Sequence, residues 1–95
     1  MSTKTIKVMK TFKDITFKKH RINGAIQGLL MLPNGTELSV VAGPSLYSMP
    51  KDFIKSSDEV STFEVLAFDK NGEHLGEVKG WQSREDINEL IKTIS

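Results

Sequence analysis

Asn-Gly occurs three times in this chain, as INGA (22–25), PNGT (33–36) and KNGE (70–73). Both residues tolerate positive φ, which two-residue hairpin turns need if they are to match the twist of their strands. Strand-like sequence flanks each pair. ITFKKHRI precedes the first and AIQGLLML follows it, TELSVVA follows the second, and TFEVLAF and EHLGEVK bracket the third. The pattern predicts an antiparallel β-meander of five to six strands.

Alternation supports the strands. Phe63, Val65 and Ala67 fall on one face of 62–68, with Glu64, Leu66 and Phe68 on the other. Leu38 and Val40 share a face opposite Ser39 and Val41, whereas the unbroken GLLML run predicts a central strand covered on both sides. The first dozen residues carry two signals. Val8, Phe12 and Ile15 lie at helical spacing, but Thr3, Thr5, Ile6, Val8 and Thr11 are β-branched and favour the strand that we expect there. Residues 1–4 are expected to be disordered.

The end of the chain reads as a helix. Ser83 stands before Arg84, Glu85 and Asp86, a capping hydroxyl followed by acids that suit the helix dipole. Ile87, Leu90, Ile91 and Ile94 then form one apolar stripe. Together these features define an α+β fold, a meander sheet with one C-terminal helix packed on a face, in a single domain spanning 1–95.

The connection from Gly43 to Ser61 is far longer than the others. Structureless loops beyond about 12–15 residues are uncommon in compact domains and are usually functional or disordered. Gly43-Pro44 ends the preceding strand, SMPKDFIK suits a helical turn from Ser48 to Lys55 with Pro50 in its first turn, and SSDEVS has the composition of a solvated tip. Tyr47, Met49, Phe53 and Ile54 are large for a solvated connection. Either they fold back to plug the open end of the sheet, or they form a partner-binding patch with Trp81, which stands just before the helix cap.

Composition narrows the chemistry. With no cysteine, disulfides, thiolate catalysis and Cys-built zinc sites are excluded, a composition that fits a reducing compartment. The N-terminal segment lacks the apolar core of a signal peptide and no later stretch approaches a membrane span, so a cytoplasmic protein without membrane contact is expected. His20 and His74 each stand apart from other metal ligands, and DKNGE keeps only the opening of a calcium loop. Nothing in the spacing of Ser39, His74 and Asp69 favours a catalytic triad. No metal, cofactor or catalytic residue is expected, and the chain does not read as an enzyme.

Charge is segregated. Residues 1–35 hold seven Lys/Arg and one acid, residues 36–95 six bases and eleven acids. Lys10, Lys13, Lys18, Lys19 and Arg21 are interleaved with Phe12 and Phe17, a mixture that suits nucleic-acid binding by charge and stacking. The same lysines also suit an acidic protein surface, or a solvated strand edge protected against aggregation.

PNGTELSVVAGPSLYS, TFEVLAFDKNGE and EVKGWQSREDINELI together resemble a group of small bacteriophage and prophage proteins. The shared pattern is an Asn-Gly turn into a Ser-Val strand, Gly-Pro and a tyrosine, a strand ending in Asp-x-x-Gly, then Val-x-Gly-aromatic and an acid-capped helix. It falls here on Asn34, Gly35, Ser39, Val40, Gly43, Pro44, Tyr47, Phe63, Val65, Asp69, Gly72, Val78, Gly80 and Trp81, within residues 33–95. The resemblance implies phage origin and brings no established activity, cofactor or catalytic residue. The expected function is binding and modulating or inhibiting a host or defence protein through the 43–61 loop and adjacent sheet. The alternatives are nucleic-acid binding by the basic arm, and a nucleotide-binding sponge in which Trp81, Tyr47 and His74 stack on a base at a subunit interface. A homo-oligomer, with a dimer favoured, would cover the second face of the Leu29–Leu32 run.

Overall fold

The computed structural model describes residues 10–21 and 23–94. Five strands, β1 (Thr16–Lys19), β2 (Ile26–Met31), β3 (Glu37–Ala42), β4 (Phe63–Phe68) and β5 (Lys79–Gln82), are followed by one helix, α1 (Arg84–Ile94). The strands lie in chain order in one antiparallel sheet, so the meander is as expected. The strand expected in the first dozen residues, and the disorder of the first four, fall largely outside the described residues. Where the chain becomes described it is not a strand. Phe12–Asp14 form a 3-10 turn, with the Thr11 amide donating to Asp14 Oδ2 at 2.8 Å, and β1 starts only at Thr16.

The second and third Asn-Gly pairs close the same type of turn, one residue longer than expected. In the second, Gly35 N donates to Leu32 O and Leu32 N to Thr36 O; in the third, Gly72 N donates to Asp69 O and Asp69 N to Glu73 O. Only the glycines have positive φ, 90° at Gly35 and 83° at Gly72. This is a type I turn followed by a left-handed glycine, which leaves the asparagines in ordinary backbone.

One face of the sheet carries the core. Ile26 and Leu30 of β2, Leu38, Val40 and Ala42 of β3, and Phe63, Val65 and Ala67 of β4 are all buried, with Ile87 and Ile91 of α1 packed against them. Gly28 faces Phe17 across the β1–β2 ladder. A Cβ there would stand 2.2 Å from Ile15 Cγ2, so glycine lets Ile15 and the Phe17 ring lie over the strand. Phe17 continues into Phe63 and Phe12, with centroids 5.6 and 5.8 Å away. The Arg84 guanidinium lies 5.2 Å from the Phe12 centroid and 5.4 Å from that of Phe63, while donating to Ser57 O and Val60 O.

Four local expectations are corrected. No helical turn forms over Ser48–Lys55, because Met49 is drawn into extended pairing with Thr62; a 3-10 turn forms instead at Ser57–Glu59. SSDEVS is not wholly a solvated tip, since Val60 is buried in the core. EHLGEVK does not form the fifth strand. After the third turn only His74 bridges back to Phe68, and regular pairing resumes at Lys79. GLLML is covered on one face only: Leu30 is buried, whereas Leu29 and Met31 are each 52% exposed on the face that α1 does not cover.

Candidate interaction surface

The uncovered face of the sheet is set by register. Thr16, Leu29, Ser39 and Leu66 form one cross-strand row, Lys18, Gln27, Val41 and Glu64 a second, and Met31, Glu37 and Phe68 a third. Gln27 Nε2 donates to Ser39 Oγ at 3.1 Å, which satisfies the middle of the face and leaves Leu29 and Met31 as its apolar projections.

The long loop reaches this face at Glu64, whose Oε1 accepts from Tyr47 N at 3.0 Å. Its first part is held rigidly. Ser48 is fully buried, and its hydroxyl accepts from Gly43 N at 3.0 Å and donates to Gly43 O at 3.3 Å, closing 43–48 on itself. Met49 N then donates to Thr62 O, and Ser61 N to Met49 O, which ties the loop to the start of β4.

β5 receives the other half of the surface. Between the pairs Val65–Lys79 and Phe63–Gln82, β5 advances one residue more than β4, and the sheet bulges. An extra residue re-aims side chains. Here it falls at Gly80-Trp81, and Trp81 has a φ of 52°. A bulky residue in that region costs on the order of 1–3 kcal/mol, and such strain gathers at functional sites. The Trp81 amide donates to Tyr47 O at 2.8 Å and the two rings lie 5.2 Å apart, with 55% of Tyr47 and 54% of Trp81 exposed. Gly80 makes the approach possible, because a Cβ on it would stand 2.7 Å from Tyr47 Cβ. Lys51 bonds Leu46 O and lies 5.9 Å from the Tyr47 centroid.

The five residues of the expected patch are therefore divided. Tyr47 and Trp81 form one ledge, and Met49 is half exposed on the segment tied to β4. Phe53 is exposed elsewhere, its ring over Gly24 at the β1–β2 turn, and Ile54 is buried in the core, donating its amide to Gly24 O. Ile54 thus folds back to plug the core, whereas Tyr47 and Trp81 project from the surface. Leu29 and Met31 were missed as surface residues because an unbroken apolar run does not say which face is covered.

The basic arm is rearranged as well. Phe17 packs against both Phe12 and Phe63 and is half-buried, so part of its ring is taken up by the core. Lys13, Lys18, Lys19 and Arg21 are exposed and Lys10 is partly so. Lys55, which sequence separates from the arm, joins Lys18 and Lys19 around one cavity. Ser39, Asp69 and His74 are engaged separately: Ser39 with Gln27, Asp69 with the amides of Asn71 and Glu73, and His74 against the Phe68 ring. His74 is thus not brought to Tyr47 and Trp81. Among the described residues no group of three or more His, Asp or Glu side chains gathers as metal ligands, and no helix is long and apolar enough to cross a membrane.

No protein-family model, curated protein or solved structure matches the chain.

Proposed function

We propose that this chain is a non-enzymatic binding protein that docks a second protein on the Tyr47–Trp81 ledge. The observation that supports it most is the strained backbone at Trp81. A fold that holds a tryptophan at φ 52° and leaves its ring half exposed gains little stability from it. Aromatic side chains on a rigid frame are the usual anchors of protein interfaces. The neighbouring Leu29–Met31 face is where a second copy would pack, giving a homodimer that leaves the ledge at its margin. With the phage-like pattern of residues 33–95, the reading becomes a phage accessory factor that occupies a host or defence protein in the host cytoplasm and modulates or inhibits it.

Affinity capture from a bacterial lysate, comparing the natural chain with a Tyr47→Ala/Trp81→Ala variant, tests the proposal. A partner retained by the first and lost by the second, with similar thermal melts, is the expected result. An identical set of captured proteins for both would overturn it.

A further inference from the structure

The sheet has two edges, and they are treated differently. At β5, the Trp81 amide is already occupied by Tyr47 O. At β1, no described strand lies on the outer side. His20 N donates to Ala25 O, and the register continues from Lys19–Ile26 to that pair. In an antiparallel ladder bonded and non-bonded pairs alternate, so Thr16, Lys18 and His20 bond inward to β2. The N–H and C=O groups of Phe17 and Lys19 then point away from the sheet.

Two cavities flank this edge, one on each face. The first, of about 340 Å³, is lined by Thr16, Lys18, Lys19, Gln27 and Leu29. The second, of about 260 Å³, lies between β1 and the 55–57 segment, with Ile15, Phe17 and Ile26 as its apolar wall and Lys18, Lys19 and Lys55 among its polar lining. Among the described residues no carboxylate lines either one. Two nearby acids are engaged by backbone amides, Asp14 with Thr11 N at 2.8 Å and Glu59 with Lys55 N at 3.4 Å.

We propose that the outer edge of β1, which no described strand covers, takes an extended acidic peptide from another protein as an added strand. A strand docked there bonds to Phe17 and Lys19 along its backbone. Its side chains alternate between the two faces and so enter the two cavities in turn. Lysines at a sheet edge repel most strands, including a second β1, and select one that carries carboxylates. A nucleic acid would meet the same charges, but it cannot form the ladder. This site is separate from the Tyr47–Trp81 ledge and does not depend on it, but its first cavity shares Leu29 with the face proposed for a second copy, and the two occupants would compete there.

Fluorescence anisotropy of the full chain with a labelled Glu-Val-Glu-Val-Glu-Val-Glu peptide tests the site. Saturable binding is expected, weakened at least about tenfold when alternate peptide nitrogens on the ladder side are methylated, a change that leaves charge and protein untouched. A Lys18→Glu/Lys55→Glu variant should lose affinity to a similar degree, while Tyr47→Ala/Trp81→Ala should bind the peptide as the natural chain does. Absence of binding up to about 1 mM, which corresponds to only about 4 kcal/mol, would overturn the proposal. Equal affinity for the methylated peptide would do so too. So would displacement of the peptide by an oligothymidylate of matched charge at equal or lower concentration, which would reassign the edge to nucleic acid.

Discussion

Tyr47 and Trp81 hold each other in place, through a 2.8 Å bond from the Trp81 amide to the Tyr47 carbonyl and a ring contact of 5.2 Å. Each half of the pair is also fixed by its own segment. Tyr47 lies on a loop that Ser48 closes on Gly43, and Trp81 lies in a bulge whose backbone no ordinary strand would adopt.

The strain at Trp81 is separable from its ring. Glycine accepts a φ of 52° without the Cβ penalty, whereas alanine does not. Trp81→Gly should therefore melt above Trp81→Ala, by about 1 kcal/mol in stability, while both lose partner capture. Paired thermal melts read the difference; a glycine variant less stable than the alanine one would mean that the bulge is unstrained.

Gly80 sets the closeness of the ledge. Its replacement by alanine places a Cβ 2.7 Å from Tyr47 Cβ, so the loop must move outward. Trp81 is the only tryptophan, and its fluorescence reports that movement directly. Gly80→Ala should shift the emission to longer wavelength, weaken partner capture and lower the melt, because the atom met is Tyr47 Cβ, next to the backbone, and not the end of a flexible side chain.

Arg84 joins α1 to the loop. It donates to Ser57 O at 2.7 Å and Val60 O at 2.8 Å while lying beside the Phe12 and Phe63 rings. Hydrogen bonds to charged groups contribute about 1.5–3 kcal/mol, so Arg84→Ala should destabilise by that order in urea unfolding. Lysine cannot reproduce the planar fork that reaches both carbonyls, and Arg84→Lys should recover less than half of the loss.

The helix cap makes an acid-sensitive contribution. Ser83 Oγ accepts from Asp86 N at 3.0 Å and Asp86 Oδ2 accepts from Ser83 N at 2.9 Å. The bond from the Ser83 amide, and after it the Ser83 hydroxyl beside the carboxylate, lower the Asp86 pKa below its ordinary 3.8. A carboxylate with a depressed folded pKa stabilises fully above its unfolded value and loses that stabilisation as pH falls through the folded one. Melts between neutral pH and pH 3 should accordingly fall further for the natural chain than for Asp86→Asn, with the difference opening below about pH 4. Parallel acid limbs would show that the cap does not titrate.

The homodimer proposed on the uncovered sheet face is read by mass. Light scattering should give twice the chain mass, and Leu29→Lys/Met31→Lys should give the single mass with a similar melt, since both side chains are half exposed in the single chain. A single mass for the natural chain would leave that face solvated.

Much of the fold was legible because it depends on neighbours in sequence. The glycine of an Asn-Gly pair accepts the left-handed backbone that ends a turn, so both turns could be read from PNGT and KNGE, although the strand expected directly after KNGE does not form before Lys79. Likewise Ser83, with acids after it and Ile87 and Ile91 at helical spacing, carries both the start of the helix and its buried face. Alternation placed Phe63, Val65 and Ala67 in the core.

What the sequence could not determine was contact between distant segments. Leu29 and Met31 belong to the same apolar run as buried Leu30, and only the placement of α1 on one side of the sheet exposes them. Ile54 and Phe53 are adjacent, yet one fills the core and the other lies over Gly24. Trp81 meets Tyr47 because a bulge adds a residue to β5, and Lys55 meets Lys18 and Lys19 because Ile54 is drawn to Gly24. Local patterns select backbone conformations, whose energies are short-ranged; which side chains remain exposed depends on burial summed over the whole chain.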